Sequence, residues 1–202
     1  MPTVLLVRHG ETDWNRSGQI MGERPVPLNA NGREQVNQLA KFLTTRSVRG
    51  LYTSPVVRAR QTAEILVAAL DVPVTVDNGL TEVRVGQWEG LYWKDLAEET
   101  ARLNYYAHPR VARPPGGETL HEVQRRATAA VAQACSDEGA GSLIFVSHAD
   151  VVRAILGHYL HIDLQLARHM RIDHASLTAL DLNGSEADLL FLNFTPSLKG
   201  IP

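Results

Sequence analysis

Four apolar residues, Val4-Leu5-Leu6-Val7, run directly into Arg8-His9-Gly10, and this junction limits the chain more than any other segment. An uninterrupted apolar run of that length suits a strand buried on both faces, as in sheets covered by helices on either side. Such a strand delivers its last residues, an arginine and a histidine, to a sheet edge, where the following glycine lets the backbone approach a ligand closely. The run is shorter than the ~7–15 residues of a signal-peptide core and has no basic region before it. No later apolar stretch reaches the ~18 residues of a membrane span. A soluble, cytoplasmic protein with no membrane partner is expected.

Beyond this strand, taken as Thr3 to Val7, short β-rich runs alternate with helical patterns. That order predicts an α/β fold, a three-layer α/β/α sandwich with a mostly parallel central sheet and a small helical cap. Strands are expected at Gly50 to Thr53, Val72 to Val76, Ser142 to Val146, Leu177 to Leu182 and Asp188 to Asn193, the last two turned by Asn183-Gly184. Helices are expected after Asn31-Gly32, from Ser54-Pro55 to Leu70, from about Glu118 to Ala134 and from Asp150 to Leu160, with Ser54 and Asp150 as N-caps. A length of 202 residues fits one domain over 1–202. The aromatic and charged stretch 83–117, closed by Arg113-Pro114-Pro115-Gly116-Gly117, reads as a cap insertion. The tail from Thr195 to Pro202 reads as loose.

Charge excludes some functions. Twenty basic residues against 22 acidic ones give a net charge of −2, which provides no bulk basic field for nucleic acid. The single cysteine, Cys135, cannot form an internal disulfide or a zinc framework built on cysteine pairs. No metal site and no cofactor are expected. His158 and His161 share a helix face without an evident third ligand, and with His169 and His174 they read as surface or partly buried histidines.

The chemistry gathers at strand ends. Ser54 and Arg58 follow the second strand, Glu82 the third, and Ser147-His148 the fourth. In open α/β sheets ligands bind beyond the carboxyl ends of strands, so these residues, distant in sequence, are expected to share a crevice with Arg8 and His9. Two guanidinium forks and nearby helix N-termini suit a phosphate. One neutral histidine then serves as nucleophile and a protonated partner as donor to the phosphoryl oxygens. Glu82, raised in pKa near phosphate, would protonate a leaving alkoxide, with Glu11 and Glu89 as nearby acidic alternatives.

Leu6-Val7-Arg8-His9-Gly10-Glu11-Thr12, continued by Asp13-Trp14-Asn15, resembles the signature of the histidine phosphatase superfamily, which includes cofactor-dependent phosphoglycerate mutases. The likeness continues through Pro27-Leu28-Asn29, Tyr52-Thr53-Ser54-Pro55 with Arg58-Ala59-Arg60, Leu80-Thr81-Glu82 with Gly86-Gln87-Trp88-Glu89-Gly90, and Val146-Ser147-His148. The resemblance implies a phosphoglycerate mutase-like fold, transient phosphorylation of His9, and a catalytic set of His9, Glu82, His148, Arg8 and Arg58. It also implies that Arg8, Asn15, Ser54, Arg58, His148 and Ala149 contact the substrate. The chain departs from the common pattern at Ala149-Asp150, at Met21 and at Pro25, where glycine, glutamine and aspartate respectively are frequent.

Three activities are compatible with these residues. The first is a metal-independent phosphomonoesterase acting on a small phosphorylated metabolite. The second is a phosphoglycerate mutase dependent on 2,3-bisphosphoglycerate, to which Lys94, Arg102, Arg110 and Arg113 would contribute basic groups. The third is a phosphate-binding protein without turnover. Mutases resembling this chain carry a longer insert between the glutamate and the second histidine, whereas 66 positions separate Glu82 from His148 here, which favours hydrolysis. Trp88, Tyr92, Trp93, Tyr105 and Tyr106 suit either a substrate mouth or the packing of a cap. An exposed edge near Val72 to Val76 leaves room for a homodimer.

Overall fold

The computed structural model describes residues 3–94, 96, 99–136 and 139–196. In chain order the elements are β1 (Thr3–Arg8), α1 (Asp13–Ser17), α2 (Ala30–Leu43), β2 (Val48–Thr53), α3 (Val57–Leu70), β3 (Val74–Val76), α4 (Glu99–Ala107), α5 (Leu120–Cys135), β4 (Ser142–Ser147), α6 (Ala149–Tyr159), α7 (Leu164–Ala167), β5 (Leu177–Asn183) and β6 (Glu186–Phe194). Short 3-10 turns at Asn78–Leu80 and Gly86–Trp88 interrupt the stretch between β3 and α4.

The six strands form one sheet in the order β3-β2-β4-β1-β5-β6. Neighbours from β3 to β1 are parallel, whereas the β1–β5 and β5–β6 pairs are antiparallel, so β5 alone runs against the rest. Alternation along the central strands builds the layers. Leu5 and Val7 of β1 and Ile144 and Val146 of β4 pack with Val36, Leu39 and Leu43 of α2 and Ala59, Ala63 and Leu66 of α3. Val4, Leu6, Leu143 and Phe145 face the other way, onto Val123 and Ala127 of α5 and Val151 and Ile155 of α6. A one-residue slip of β1 would exchange these two sets, so the register at the sheet end is held firmly. The sheet ends at an exposed β3, where Val74 and Val76 are half exposed.

Several boundaries differ from the sequence reading, and each difference has a local cause. Helix α2 begins at Ala30 because Asn29 caps it, accepting from the Gly32 amide at 2.8 Å. Helix α3 begins at Val57 rather than at Ser54-Pro55: the Ser54 hydroxyl accepts from the Val56 amide at 3.3 Å ahead of the helix, and Val56 holds the N-cap position with extended backbone. At α6 the N-cap position belongs to His148, and Asp150 sits in the first turn, where it accepts from Tyr106 and Arg153 instead of capping. The third strand is confined to Val74–Val76, and the short helices α1 and α7 were not anticipated. Gly184, with φ of +65°, lies in the turn between β5 and β6. Of the tail expected to be loose, residues 197–202 lie outside the described residues.

Segment 83–117 contributes Val83, Val85, Trp88 and Tyr105 to the core, and its two ends are tied together. The Gln87 amide donates to the Pro115 carbonyl and the Glu118 amide to the Arg84 carbonyl, both at 2.9 Å. Gly86 has φ of +51°, and a side chain there would collide with the Pro115 and Gly116 backbone. Among the described residues no helix is long and apolar enough to cross a membrane.

Candidate active site

Strand β1 carries Arg8 and His9 to the end of the sheet where β2 and β4 also finish. The His9 amide donates to the Ser147 carbonyl at 3.0 Å, so the ends of β1 and β4 are tied together where the two histidines emerge. His9 is 1% exposed. Its Nδ1 is 2.7 Å from the Gly10 carbonyl, a distance that requires the proton on Nδ1. Its Nε2 accepts from Nε of Arg58 at 3.2 Å and therefore carries the lone pair. Burial, Arg58 and Arg8 all push the imidazole well below its ordinary pKa, which keeps it neutral.

Gly10 does not serve the close approach to a ligand that its position suggested. A Cβ there would lie 2.5 Å from the Gly32 carbonyl, so this glycine lets the loop after β1 lie against the first turn of α2. Gly32 is as crowded, with Glu11 backbone atoms where its Cβ would stand.

Two arginines frame the histidine. Arg58, fully buried on α3, spends its NH1 and NH2 groups on the Arg24 and Gly22 carbonyls at 3.2 and 2.8 Å. The loop after α1 therefore holds this charge through its backbone. Arg8 donates from NH1 to the Ile172 carbonyl at 2.6 Å, and its Nε is buried without a partner. Burial lowers Arg8 to about 10, which leaves it charged at neutral pH.

His148 enters from the end of β4, its ring 5.2 Å from that of His9 between centroids. Nε2 meets the Ser54 hydroxyl at 2.8 Å, and Nδ1 is buried, with no hydrogen-bond partner, 3.5 Å from Oε2 of Glu82. The network assigns the Ser54 proton to Nε2 and the ring proton to Nδ1, the face turned to Glu82. Burial, Arg58 and His9 push this imidazole well below its ordinary pKa, toward the neutral form. Ser54 is fully buried, and its hydroxyl reaches His148 and the Val56 amide. It holds the His148 ring in place and, like His9, Arg58 and His148, is buried.

Glu82 is held by its backbone and tuned by its surroundings. Arg126 of α5 donates to its carbonyl at 3.1 Å, and the Val83 amide donates to its own Oε1 at 2.9 Å. Its Oε2 stands 3.6 Å from NH2 of Arg58. Burial raises the carboxyl to about 6 against the pull of Arg58, and Asp150 adds to the rise. The alternative acids lie elsewhere: Glu11 accepts from Asn29, and Glu89 pairs with Arg24 at 2.9 Å.

A cavity of about 630 Å³ is lined by Arg8 and Glu82 of this set, whereas His9, Arg58 and His148 lie outside its lining. Asn15, Ala149 and Glu82 line it near Arg8. Asn15 commits its Oδ1 to the Thr12 amide and hydroxyl, closing a capping box at α1, so that its amide nitrogen is what it can offer the cavity. The aromatic residues divide: Trp88 and Tyr105 are buried in the core, whereas Trp93 and Tyr106 line the cavity. His169 and His174, read from sequence as surface or partly buried histidines, line the cavity with Arg153 and Arg168. The His174 ring is 6.1 Å from that of His9. Because β5 is antiparallel, the loop before it starts at the sheet end where the parallel strands stop, and the Ala175 amide donates to the His9 carbonyl at 3.1 Å.

Donor atoms of His9, Glu82 and His148 lie within 4.8 Å of one another, a spacing a metal ion accepts. Two guanidiniums face the same space, and Arg58 is already bonded to Nε2 of His9. Buried cations that oppose a metal ion instead favour an oxyanion, for which Arg8 Nε and His148 Nδ1 are buried donors with no hydrogen-bond partner.

The description histidine phosphatase superfamily (branch 1) matches residues 4–195. The chain belongs to this superfamily. As a histidine phosphatase chain it is 34% identical over 188 residues to the probable phosphoglycerate mutase GpmB of Yersinia enterocolitica, covering 92% of this chain and 87% of that one. Among solved structures, a mycobacterial glucosyl-3-phosphoglycerate phosphatase complexed with VO3 superimposes with a TM-score of 0.88 at 26% identity, covering 96% of this chain and 99% of the other. A putative α-ribazole-5′-phosphate phosphatase from Escherichia coli gives a TM-score of 0.85 at 27% identity, covering 98% and 99%. These likenesses agree with the α/β sandwich and with the family expected from the Arg8-His9-Gly10 segment.

Proposed function

We propose that this chain is a phosphomonoesterase that hydrolyses a small phosphorylated metabolite through a phosphohistidine on His9, without a metal ion. The observation that carries this reading is the tautomer of His9: Nδ1–H is held on the Gly10 carbonyl, so the lone pair is on Nε2, where it accepts from Nε of Arg58 until a phosphoryl oxygen takes over that donor.

The mechanism follows from the same contacts. Arg8, Arg58, Asn15 and Nδ1–H of His148 hold the phosphoryl oxygens and offset the charge that builds on them. Nε2 of His9 attacks phosphorus in line, and the P–O bond to the alcohol breaks. Glu82, protonated in part because its pKa is about 6, gives its proton to the departing alkoxide. Water then attacks the phosphohistidine, Glu82 takes a proton from it, and the P–N bond breaks to release phosphate and restore Nε2.

A rapid alkaline quench with radiolabelled substrate, which preserves the acid-labile P–N bond of phosphohistidine, tests this assignment. Label should appear on His9 in the parent protein, and both label and turnover should vanish in His9→Ala. An unlabelled protein that still releases phosphate would point to direct attack by water. A chelator that abolishes turnover, with recovery on adding metal, would count against the metal-free step.

The name of the Yersinia relative supports a second reading as a mutase. Turnover of 3-phosphoglycerate with and without 2,3-bisphosphoglycerate separates the two. Hydrolysis predicts release of inorganic phosphate without the bisphosphate, whereas a mutase predicts an isomer and dependence on it.

A further inference from the structure

Three histidine rings meet at the end of the sheet, and the proposed chemistry uses two of them. Strand order explains the meeting: β1 lies between β4 and β5, so His148, His9 and His174 arrive side by side with His9 in the middle. The His9 ring is 5.2 Å from that of His148 on one flank and 6.1 Å from that of His174 on the other. His174 also lines the cavity, with Arg8 and Glu82. Among the described residues, buried polar atoms with no hydrogen-bond partner gather here: Nε of Arg8, Nδ1 of His148, Nε2 of His174 and Oγ of Ser176. The mechanism uses the first two. A buried polar group left unpartnered is costly to keep, and one beside a site is accounted for when a ligand completes its hydrogen bonding.

The turn that carries His174 is fastened to the strand that carries His9. The Ala175 amide donates to the His9 carbonyl at 3.1 Å, and the Arg8 amide donates to the Ser176 carbonyl at 3.2 Å. The Ser176 amide closes the turn on the Asp173 carbonyl, also at 3.2 Å. Asn193 of β6 braces it from outside, accepting from the Asp173 amide at 2.6 Å and donating to the Asp173 carboxylate at 3.0 Å. Ala175 adopts φ of +51°, a left-handed conformation that a residue with a Cβ holds only where its surroundings impose it. The His174 ring is thereby set at a fixed place beside His9. Burial and the Arg8 charge lower its imidazole to about 4, with Glu11 and Asp173 opposing, so the ring is neutral at neutral pH and has one proton to place.

We propose that His174 is a further catalytic residue, whose Nε2–H donates to a phosphoryl oxygen on the flank of His9 opposite His148. The inference rests on the phosphohistidine reading above and adds a residue to it. Arg58 and His148 come to the phosphoryl group from α3 and from the end of β4, and His174 comes to it from the side of β5. The proton stays on Nε2 through transfer and hydrolysis: no bond within His174 forms or breaks, and Glu82 remains the acid and the base. What the ring adds is a fixed donor that holds one oxygen and offsets its charge while phosphorus passes between the alcohol, Nε2 of His9 and water.

Two substitutions separate this role from packing. His174→Gln keeps an N–H donor at nearly the same reach, whereas His174→Phe keeps a ring and loses the donor. For hydrolysis of a phosphomonoester, kcat/KM should fall about ten- to a hundredfold in His174→Phe and by less than about threefold in His174→Gln. A packing role predicts the reverse order, and that order, or equal activity in all three proteins, overturns the proposal. A second readout needs no turnover. With nitrogen-labelled histidine in the protein, saturating orthovanadate or inorganic phosphate should shift the His174 Nε2 resonance, assigned by its loss in His174→Gln, and slow the exchange of its proton with water. A His174 resonance unmoved by both anions overturns the proposal. A parent enzyme that shows the shift yet forms no phosphohistidine would count against the hydrolase reading and leave the His174 contact standing.

Discussion

Replacing Glu82 with glutamine should cost activity and raise stability, and the size of the gain follows from the site. Burial lifts this carboxyl from 4.5 to about 6, Arg58 pulls it down and Asp150 pushes it up. The folded protein thus binds that proton more tightly than the unfolded chain does. The stability linked to the proton is complete below pH 4.5 and is lost as the pH rises through about 6. At 1.36 kcal/mol per pKa unit, the ionised carboxylate costs about 2 kcal/mol at higher pH. The side chain is only 17% exposed, so solvent screens little of this. Glutamine keeps the shape and cannot ionise. Urea unfolding should therefore show Glu82→Gln more stable than the parent by about 2 kcal/mol near pH 8 and by less than about 0.5 kcal/mol near pH 4.5. Turnover of an alkyl phosphate should fall by roughly 10²–10⁴, whereas an aryl phosphate, whose phenolate departs without a proton, should lose far less. A variant less stable than its parent near pH 8, or a gap that stays constant between the two pH values, refutes the reasoning.

Ser54→Ala should release the tautomer of His148, with Nε2 left unpaired at a cost of about 1–3 kcal/mol and a fall in kcat larger than any change in KM. Histidine nitrogen shifts check this: a single Nδ1–H form in the parent should become a mixture, and an unchanged spectrum would remove Ser54 from its positioning role. Gly32→Ala should destabilise the fold by about 1–3 kcal/mol, despite the better helix former, because the new methyl meets the Glu11 backbone beside His9. Denaturant midpoints and kcat measured together would show this, and a neutral effect on both would mean that the β1 loop can retreat from α2.

Much of the scaffold was legible because burial writes itself into local pattern. The apolar run before Arg8, the helical spacing of Val36, Leu39 and Leu43, and the run Leu143 to Val146 each locate an element by its own residues. The site residues could be brought together on paper since parallel strands end on one side of a sheet. What stayed hidden depended on partners. Ser54 and Asp150 have the side chains of N-caps, but Ser54 accepts from the Val56 amide ahead of α3 and Asp150 accepts from Tyr106 and Arg153, so neither caps a helix. His174 could not be placed near His9, because that depends on β5 pairing antiparallel with β1, and nothing in the run from Leu177 to Asn183 states its direction. Helix α1 has five residues, too few to show a period.

The grip on Arg58 bears on how such a site tolerates change. The loop that anchors this guanidinium does so with the carbonyls of Gly22 and Arg24, backbone groups that do not depend on the side chain, although Gly22, at φ of +49° with Glu89 and Val85 where a Cβ would stand, is itself bound to glycine. Methionine at position 21 and proline at position 25 alter the letters of the loop while the oxygens that hold the charge remain. Selection can thus revise the surface of that loop, and with it what the enzyme meets, without touching the electrostatics beneath His9. The demand falls instead on loop length and backbone course, so a deletion of one residue there should harm catalysis more than most substitutions.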